Sequence, residues 1–281
     1  MTIENAYREG RRRLEQAGIG DAAIDAWYLL EHVTGVRRAE FYMNPDMPVE
    51  GNENAFFEMI GKRCRHIPLQ HLTGVQEFMG MEFEVNEHVL IPRQDTEVLV
   101  ETTQEYLQED MQVLDMCTGS GCIIISLQHH AGQYGMTKVR MTGSDISGKA
   151  LDTAGRNAVK NHTDISWVES NLFDNIEGSY DLIVSNPPYI RTSVIEKLQE
   201  EVKLHDPYIA LDGKEDGLYF YRRIIEGSTK HLNHMGRLIF EIGYDQGEDV
   251  RKLMDEAGYR EITVKKDLAG LDRVVTGVYN K

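Results

Sequence analysis

The stretch VLDMCTGSGC, Val113 to Cys122, decides the fold. Val113, Leu114 and Met116 begin it as a short apolar strand, and the isoleucine-rich run from Ile123 ends it as the start of a helix. Between them Gly119 and Gly121 permit a tight turn and the close approach of a ligand, whose polar groups can meet the free N–H groups of a helix start. A dinucleotide fingerprint would place a third glycine where Ile124 stands, and a P-loop would end in Gly-Lys-Ser/Thr, which is absent. A GxG corner by itself also fits a plain strand-to-helix turn.

Downstream the pattern repeats. Strands are predicted at Val139–Ser144, Ile165–Glu169, Tyr180–Ser185, Arg237–Ile242, Tyr259–Lys265 and Arg273–Tyr279, after a first at Gln112–Met116. Helices are predicted at Ile123–His130, at Ser147–Val159 and between Asp245 and Ala257, where Gly258 closes the last. Strand followed by helix, repeated, makes a mostly parallel sheet covered on both faces. Only the short DLAGLD turn separates the last two strands, so they should pair antiparallel. The predicted class is α/β.

Upstream, Gly74 to Pro92 reads as a β-hairpin linker, with Gly80 and Asn86-Glu87 as turns, and Asp95 or Thr96 is expected to cap a helix reaching Leu107. The first 70 or so residues carry helical spacing at Ile24, Trp27 and Tyr28 and again at Phe56, Met59 and Ile60, while RAEFYMNPDMPVEGN between them reads as a loop. The expected organisation is a helical domain over residues 1–73, a hairpin linker over 74–94 and an α/β domain over 95–281.

Composition narrows the function. With 46 acidic against 30 basic residues the net charge is −16, which argues against nucleic acid or an anionic membrane as the main partner. The run Arg11-Arg12-Arg13 and the cluster KRCRH at Lys62 keep a local basic patch open. Cys64, Cys117 and Cys122 are odd in number and lack paired spacing, which fits a reducing compartment. The first residues are too polar for a signal peptide, and no apolar run reaches the roughly 18 residues of a membrane span, so a cytoplasmic location is expected. His129-His130 lacks ligand spacing and no HExxH occurs, so no metal site is expected.

Two further strand ends carry chemistry. Asp145, in SDIS, stands 24 residues beyond Gly121, where a carboxylate can accept the hydroxyls of a ribose or cap the next helix. In SNPPYI, Ser185 to Ile190, two prolines stiffen the chain where a strand ends and hold the Asn186 amide and the Tyr189 ring in a fixed relation. SNLFD, Ser170 to Asp174, ends the strand between them.

Taken with QHLTG near Gln70, VLIPRQDTEVLV from Val89, CTGSG, SDIS, SNPPYI, ALDGKEDGLYFYRRII from Ala210, IFEIGYDQ from Ile239 and DLAGLDRVVTG from Asp267, the chain resembles the peptide chain release factor N5-glutamine methyltransferases. Its second domain is similar to the wider class I of S-adenosylmethionine-dependent methyltransferases, a Rossmann-like sheet. The resemblance implies methyl transfer to the side-chain amide of the glutamine in the Gly-Gly-Gln loop of a release factor, leaving S-adenosylhomocysteine. It further implies that Cys117, Thr118, Gly119, Ser120, Gly121, Asp145, Leu172 and Asn186 bind the cofactor. Asn186, Pro187 and Tyr189 would act on the acceptor amide, with Pro188 and Arg93 beside the substrate, and the helical domain would recognise it. Cys117 replaces the family's usual glycine and Gln94 a common proline. The same corner geometry serves an exocyclic amine, so amino-methylation of adenine or cytosine in DNA or RNA is the alternative, and a cofactor-binding protein without turnover a third reading.

Overall fold

The computed structural model describes residues 1–280 and divides into two compact units, Met1–Val75 with Gln199–His205, and Gln76–Leu198 with Asp206 onward.

The first unit is helical, with α1 Ile3–Gln16, α2 Ala22–Thr34, α3 Arg38–Met43, α4 Glu53–Arg63 and α5 Leu69–Thr73. Thr2 caps α1, whose buried residues Ile3, Ala6, Gly10 and Leu14 keep the helical period. Two expectations are corrected. On α2 only Trp27 of the predicted stripe is buried, while Ile24 and Tyr28 lie about half exposed, at 52% and 50%. The inner face is instead Ala22, Asp25, Ala26, Leu29 and Leu30, where small residues allow close packing and Asp25 meets the buried Arg63 at 2.7 Å. The predicted loop after residue 37 contains α3, because Pro45 and Pro48 lie beyond its end and so do not interrupt it. Phe41 on α3 is buried edge-on against Trp27.

Next along the chain, β1 Val75–Phe78 and β2 Met81–Glu84 form the predicted hairpin, with Phe78 and Phe83 buried edge to face. A single 3-10 turn, Gln94–Thr96, leads into α6 Glu97–Gln104. Neither Asp95 nor Thr96 caps that helix, contrary to expectation, since both side chains are engaged elsewhere: Asp95 pairs with Arg273 at 3.1 Å and Thr96 bonds Asn186.

The α/β unit continues through β3 Gln112–Met116, α7 Cys122–Gln133, β4 Arg140–Asp145, α8 Gly148–Lys160, β5 Ser166–Glu169 and β6 Tyr180–Ser185. Between β6 and β7 Leu232–Glu241 the chain runs through α9 Thr192–Ile195, α10 Glu200–His205, α11 Tyr208–Leu211 and α12 Tyr219–His231, of which α10 belongs to the first unit. It ends with α13 Gly247–Glu256, β8 Tyr259–Lys266 and β9 Asp272–Tyr279. The seven strands take the order β5-β4-β3-β6-β7-β9-β8, parallel from β5 to β7; β8 and β9 pair antiparallel, as predicted, and β9 also runs antiparallel to β7.

Alternation along β3 covers both faces: Val113 joins the cluster under α6 and α7, while Leu114 and Met116 join the one under α12 and α13. The sheet is therefore buried on both sides. β7 begins at Leu232, five residues before the predicted Arg237, because an irregularity in its pairing with β6 absorbs the polar Asn233-His234 stretch. The order reverses at β3, which has β4 on one side and β6 on the other, and such a switch point is where an open α/β sheet leaves a crevice at the strands' carboxyl ends.

Candidate active site

β3, β4 and β6 each deliver one candidate segment to that crevice. After β3 the chain turns through Cys117, Gly119 and Gly121, all with left-handed backbone at φ 62°, 55° and 79°. The Thr118 N–H donates to the Ser144 carbonyl at 2.9 Å, which ties the turn to the end of β4. A Cβ on Gly119 would meet open space, whereas one on Gly121 would meet Ile125, Ala154 and Trp167 at 3.0 to 3.1 Å. Gly119 therefore leaves room for the close approach of a ligand, whereas Gly121 is a packing glycine that starts α7.

Asp145 ends β4 with its carboxylate held by two backbone donors, Gly119 N–H and Ser147 N–H, both at 2.9 Å. Each oxygen keeps a lone pair for a ligand. Ser147 caps α8, so the helix-capping role belongs to it and not to Asp145. Burial raises the Asp145 carboxyl above its ordinary range, opposed by those backbone donors. Beneath the turn Asp115 is fully buried and accepts from the Thr118 hydroxyl at 2.5 Å, with the Ile124 backbone N–H also favouring its ionised form. Burial, with Asp145 nearby, pushes its carboxyl up to about 7.

The glycine turn and Asp145 border a cavity of about 380 Å³, within the usual size of small-molecule sites. Cys117, Thr118, Gly119, Ser120, Asp145, Leu172, Asn186, Pro188 and Arg93 line it, whereas Gly121, Pro187 and Tyr189 do not. Ile146 and Leu172 add apolar walls, Ile146 half exposed and Leu172 buried. One acidic side chain, Asp145, beside apolar walls fits a ligand that has polar or cationic groups and a flat aromatic part. Burial raises the Cys117 thiol well above its usual range and pushes Cys122 up to about 12, so neither is a thiolate nucleophile. Arg93 lies at the cavity and donates to Asp206 at 2.6 Å, the residue that opens the return to α11.

The third segment follows β6. Asn186 and Pro188 reach the cavity, Pro187 is buried, and the Tyr189 hydroxyl donates to Glu241 at 3.2 Å. The Asn186 Nδ2 donates to the Thr96 hydroxyl at 3.4 Å. Sequence reasoning passed over Asp115, Thr96 and Glu241 as site components. For Asp115 the signal was an acidic residue near the end of a strand just before a glycine turn, and for Glu241 its place at a strand end close to the crevice, where the sequence suggested no role beyond supporting a loop; Thr96, expected only as a helix cap, gave none. Among the described residues no group of three or more His, Cys, Asp or Glu side chains is gathered as metal ligands would be, and no helix is long and apolar enough to cross a membrane.

Residues 5–74 match the model described as the PrmC N-terminal domain, and residues 93–203 that of the methyltransferase small domain. The chain is 40% identical over 284 aligned residues to the release factor glutamine methyltransferase of Agrobacterium fabrum, with 98% of this chain and 96% of that protein covered. It belongs to the release factor glutamine methyltransferase family. A second member, from Clostridium botulinum, is 38% identical over 98% of both chains. The crystal structure of a methyltransferase from Pyrococcus furiosus shares the fold, with a TM-score of 0.50 at 17% identity over 73% of this chain and 91% of that one. Membership of the family, together with the three strand-end segments, makes this crevice the candidate methyl-transfer site.

Proposed function

We propose that this chain transfers a methyl group from S-adenosylmethionine to the side-chain amide nitrogen (N5) of the glutamine in the Gly-Gly-Gln loop of peptide chain release factors, in the cytoplasm. The observation that carries the reading is that the Asn186–Pro188 corner opens into the same cavity as the glycine turn and Asp145, in a chain of this family. In this reading Cys117 to Ser120 hold the cofactor's amino-acid end, and the Asp145 carboxylate beside them favours its positive charges. Asp145 accepts the ribose hydroxyls, and Leu172 and Ile146 flank the adenine. The cofactor supplies an electrophilic methyl on a sulfonium, so the difficulty lies with the acceptor.

An amide nitrogen is a poor nucleophile because its lone pair is delocalised into the carbonyl. As the bond to the methyl forms, the nitrogen becomes positive until it loses a proton. The Asn186 side-chain oxygen and the Pro187 carbonyl, facing the acceptor N–H groups, favour that charge and aim the nitrogen, which is electrostatic preorganisation with orientation. Pro187 and Pro188 supply the stiffness. Gly121 acts on the cofactor only through the shape of the turn, and Tyr189 supports the corner from behind. The helical domain of residues 1–73 contributes to recognition of the release factor.

Of the basic features that kept nucleic acid open, the run Arg11-Arg12-Arg13 is paired within its own helix: Arg11 with Glu15, and Arg12 and Arg13 with Glu9. Incubation with methyl-labelled S-adenosylmethionine and either a full-length release factor or total RNA and DNA tests the reading. Label is expected in the release factor, at the glutamine of its Gly-Gly-Gln loop. Label in nucleic acid with the release factor blank overturns it.

Asp145→Ala is expected to weaken S-adenosylmethionine binding by roughly 10- to 100-fold, the scale of a hydrogen-bonded charge worth about 1.5 to 3 kcal/mol. Calorimetric titration reads it directly. Unchanged affinity in a folded variant would leave Asp145 as a support for the glycine turn alone.

A further inference from the structure

Behind Asn186 lies a buried chain of hydrogen-bonding groups that the reaction as described does not use. Thr96 is 3% exposed and Glu241, the last residue of β7, only 2%. Asn186 Nδ2 donates to Thr96 Oγ1, the Thr96 hydroxyl lies against the Glu241 carboxyl, and the Tyr189 hydroxyl donates to Glu241 Oε1. The other oxygen, Oε2, has no hydrogen-bond partner among the described residues, which leaves it open to the Thr96 hydroxyl beside it. A carboxylate kept this dry at a strand end, one step from a proposed reacting group, is costly unless it does something there.

Its effect follows from counting protons. Thr96 has one hydroxyl proton, and an ionised Glu241 only accepts. The proton then goes to Glu241, Thr96 is left able only to accept, and Asn186 must present Nδ2 to Thr96. The Asn186 oxygen is thereby turned toward the cavity, as an acceptor for N–H groups. If Glu241 carries a proton instead, the Thr96 hydroxyl is released to donate to the Asn186 oxygen. The amide then turns an N–H toward the cavity, where it opposes the N–H groups of an incoming amide. Tyr189 does not blur the logic, because burial raises its hydroxyl above the ordinary range and it remains a donor.

We propose that Glu241 is a positioning residue for methyl transfer, which acts through Thr96 to hold the Asn186 amide with its oxygen toward the substrate. The proposal rests on the reading of Asn186 as the acceptor's partner. It carries a pH signature, because burial pushes the Glu241 carboxyl up to about 7. Several groups face it. Arg273 on β9 and the hydroxyls of Thr96 and Tyr189 favour the ionised form; Asp95, on the turn before α6, opposes it. Tyr221 on α12 donates to the Glu241 backbone carbonyl at 2.9 Å, and the Cys122 thiol on α7 stays protonated. Deprotonation of Glu241 therefore turns the site on as pH rises through about 7, and the rate levels off above it.

Single-turnover methylation of a full-length release factor, at saturating S-adenosylmethionine between about pH 6 and 9, tests this. The parent rate should rise with pH to a plateau. Glu241→Gln and Thr96→Val should sit roughly 10- to 100-fold below that plateau, the scale of a misplaced reacting group, with no acidic limb and unchanged cofactor affinity. Thr96→Ser, which keeps the hydroxyl, should restore both rate and limb. A folded Glu241→Gln or Thr96→Val within about threefold of the parent plateau, or slow but with the limb intact, overturns the proposal. Should Glu241→Gln fail to fold, the Thr96 pair decides alone. Asn186→Ala, run alongside, separates the two readings. If it too is near the parent rate, the acceptor role of Asn186 is wrong; if it is slow while the Thr96 and Glu241 variants are fast, only the positioning role is.

Discussion

Asn186→Ala should lower the single-turnover rate of release-factor methylation by roughly 10² to 10³-fold, about 2.7 to 4 kcal/mol of transition-state stabilisation, while leaving S-adenosylmethionine affinity unchanged. The magnitude is that of removing one preorganised partner from an oxyanion hole. The sign is reversed here, since an acceptor faces developing positive charge. Truncation also leaves the Thr96 hydroxyl without its donor, but it removes no apolar packing, because Asn186 is half-buried at the edge of the cavity. The variant should therefore fold. Circular dichroism and a cofactor titration beside the rate measurement separate lost chemistry from lost structure. A folded variant that binds cofactor normally and methylates within about threefold of the parent would make SNPPYI a stiff corner and nothing more.

Gly121→Val should be strongly destabilising, by about 2 to 5 kcal/mol, from two additive sources. A β-branched residue resists the left-handed φ of 79°, and its side chain would enter space held by Ile125, Ala154 and Trp167. The expected order of events is loss of the turn between β3 and α7 first and of cofactor binding as its consequence. Denaturant midpoints of the α/β unit measure the first, and titration the second. A variant of parental stability that has lost cofactor affinity would show that Gly121 faces the ligand after all. Gly119 gives the contrasting case: a Cβ there meets no protein atom within 4 Å, so a substitution should act on the ligand and the local backbone more than on the core.

Much of this site was legible in one dimension because its parts are strand ends. A buried parallel strand announces itself as an apolar run bounded by turn formers, and the crevice must lie where those runs stop. CTGSG, Asp145 and SNPPYI each lie at such a stop, and the cavity gathers Cys117 to Ser120, Asp145, Asn186 and Pro188. Which way a residue faces within a turn was not legible. Gly119 and Gly121 look alike on paper, yet one meets the cavity and the other meets Trp167, because that depends on where α8 and β5 pack.

Helix faces show the same limit. The large residues Ile24, Trp27 and Tyr28 share a helical spacing, but the inward face of α2 is built on alanines and on Asp25, whose partner Arg63 lies 38 residues away. A stripe of bulk is not a stripe of burial when small residues let helices approach closely. Likewise Thr96 has the chemistry of a helix cap and was expected to act as one. Thr96 is itself buried, and its hydroxyl instead accepts from Asn186, 90 residues on.

By itself the sequence determined the alternation of strand and helix, the mostly parallel sheet with its antiparallel end, the three strand-end segments that carry the chemistry, and the family. These depend on local period, turn chemistry and motif, which are written along the chain. Only the tertiary structure decided that Asp115 is fully buried beneath the turn and that Thr96, Asn186, Tyr189 and Glu241 are brought together. The protonation of such groups and the direction an amide faces depend on water exclusion and on partners from distant strands, and burial is a property of the packed sheet.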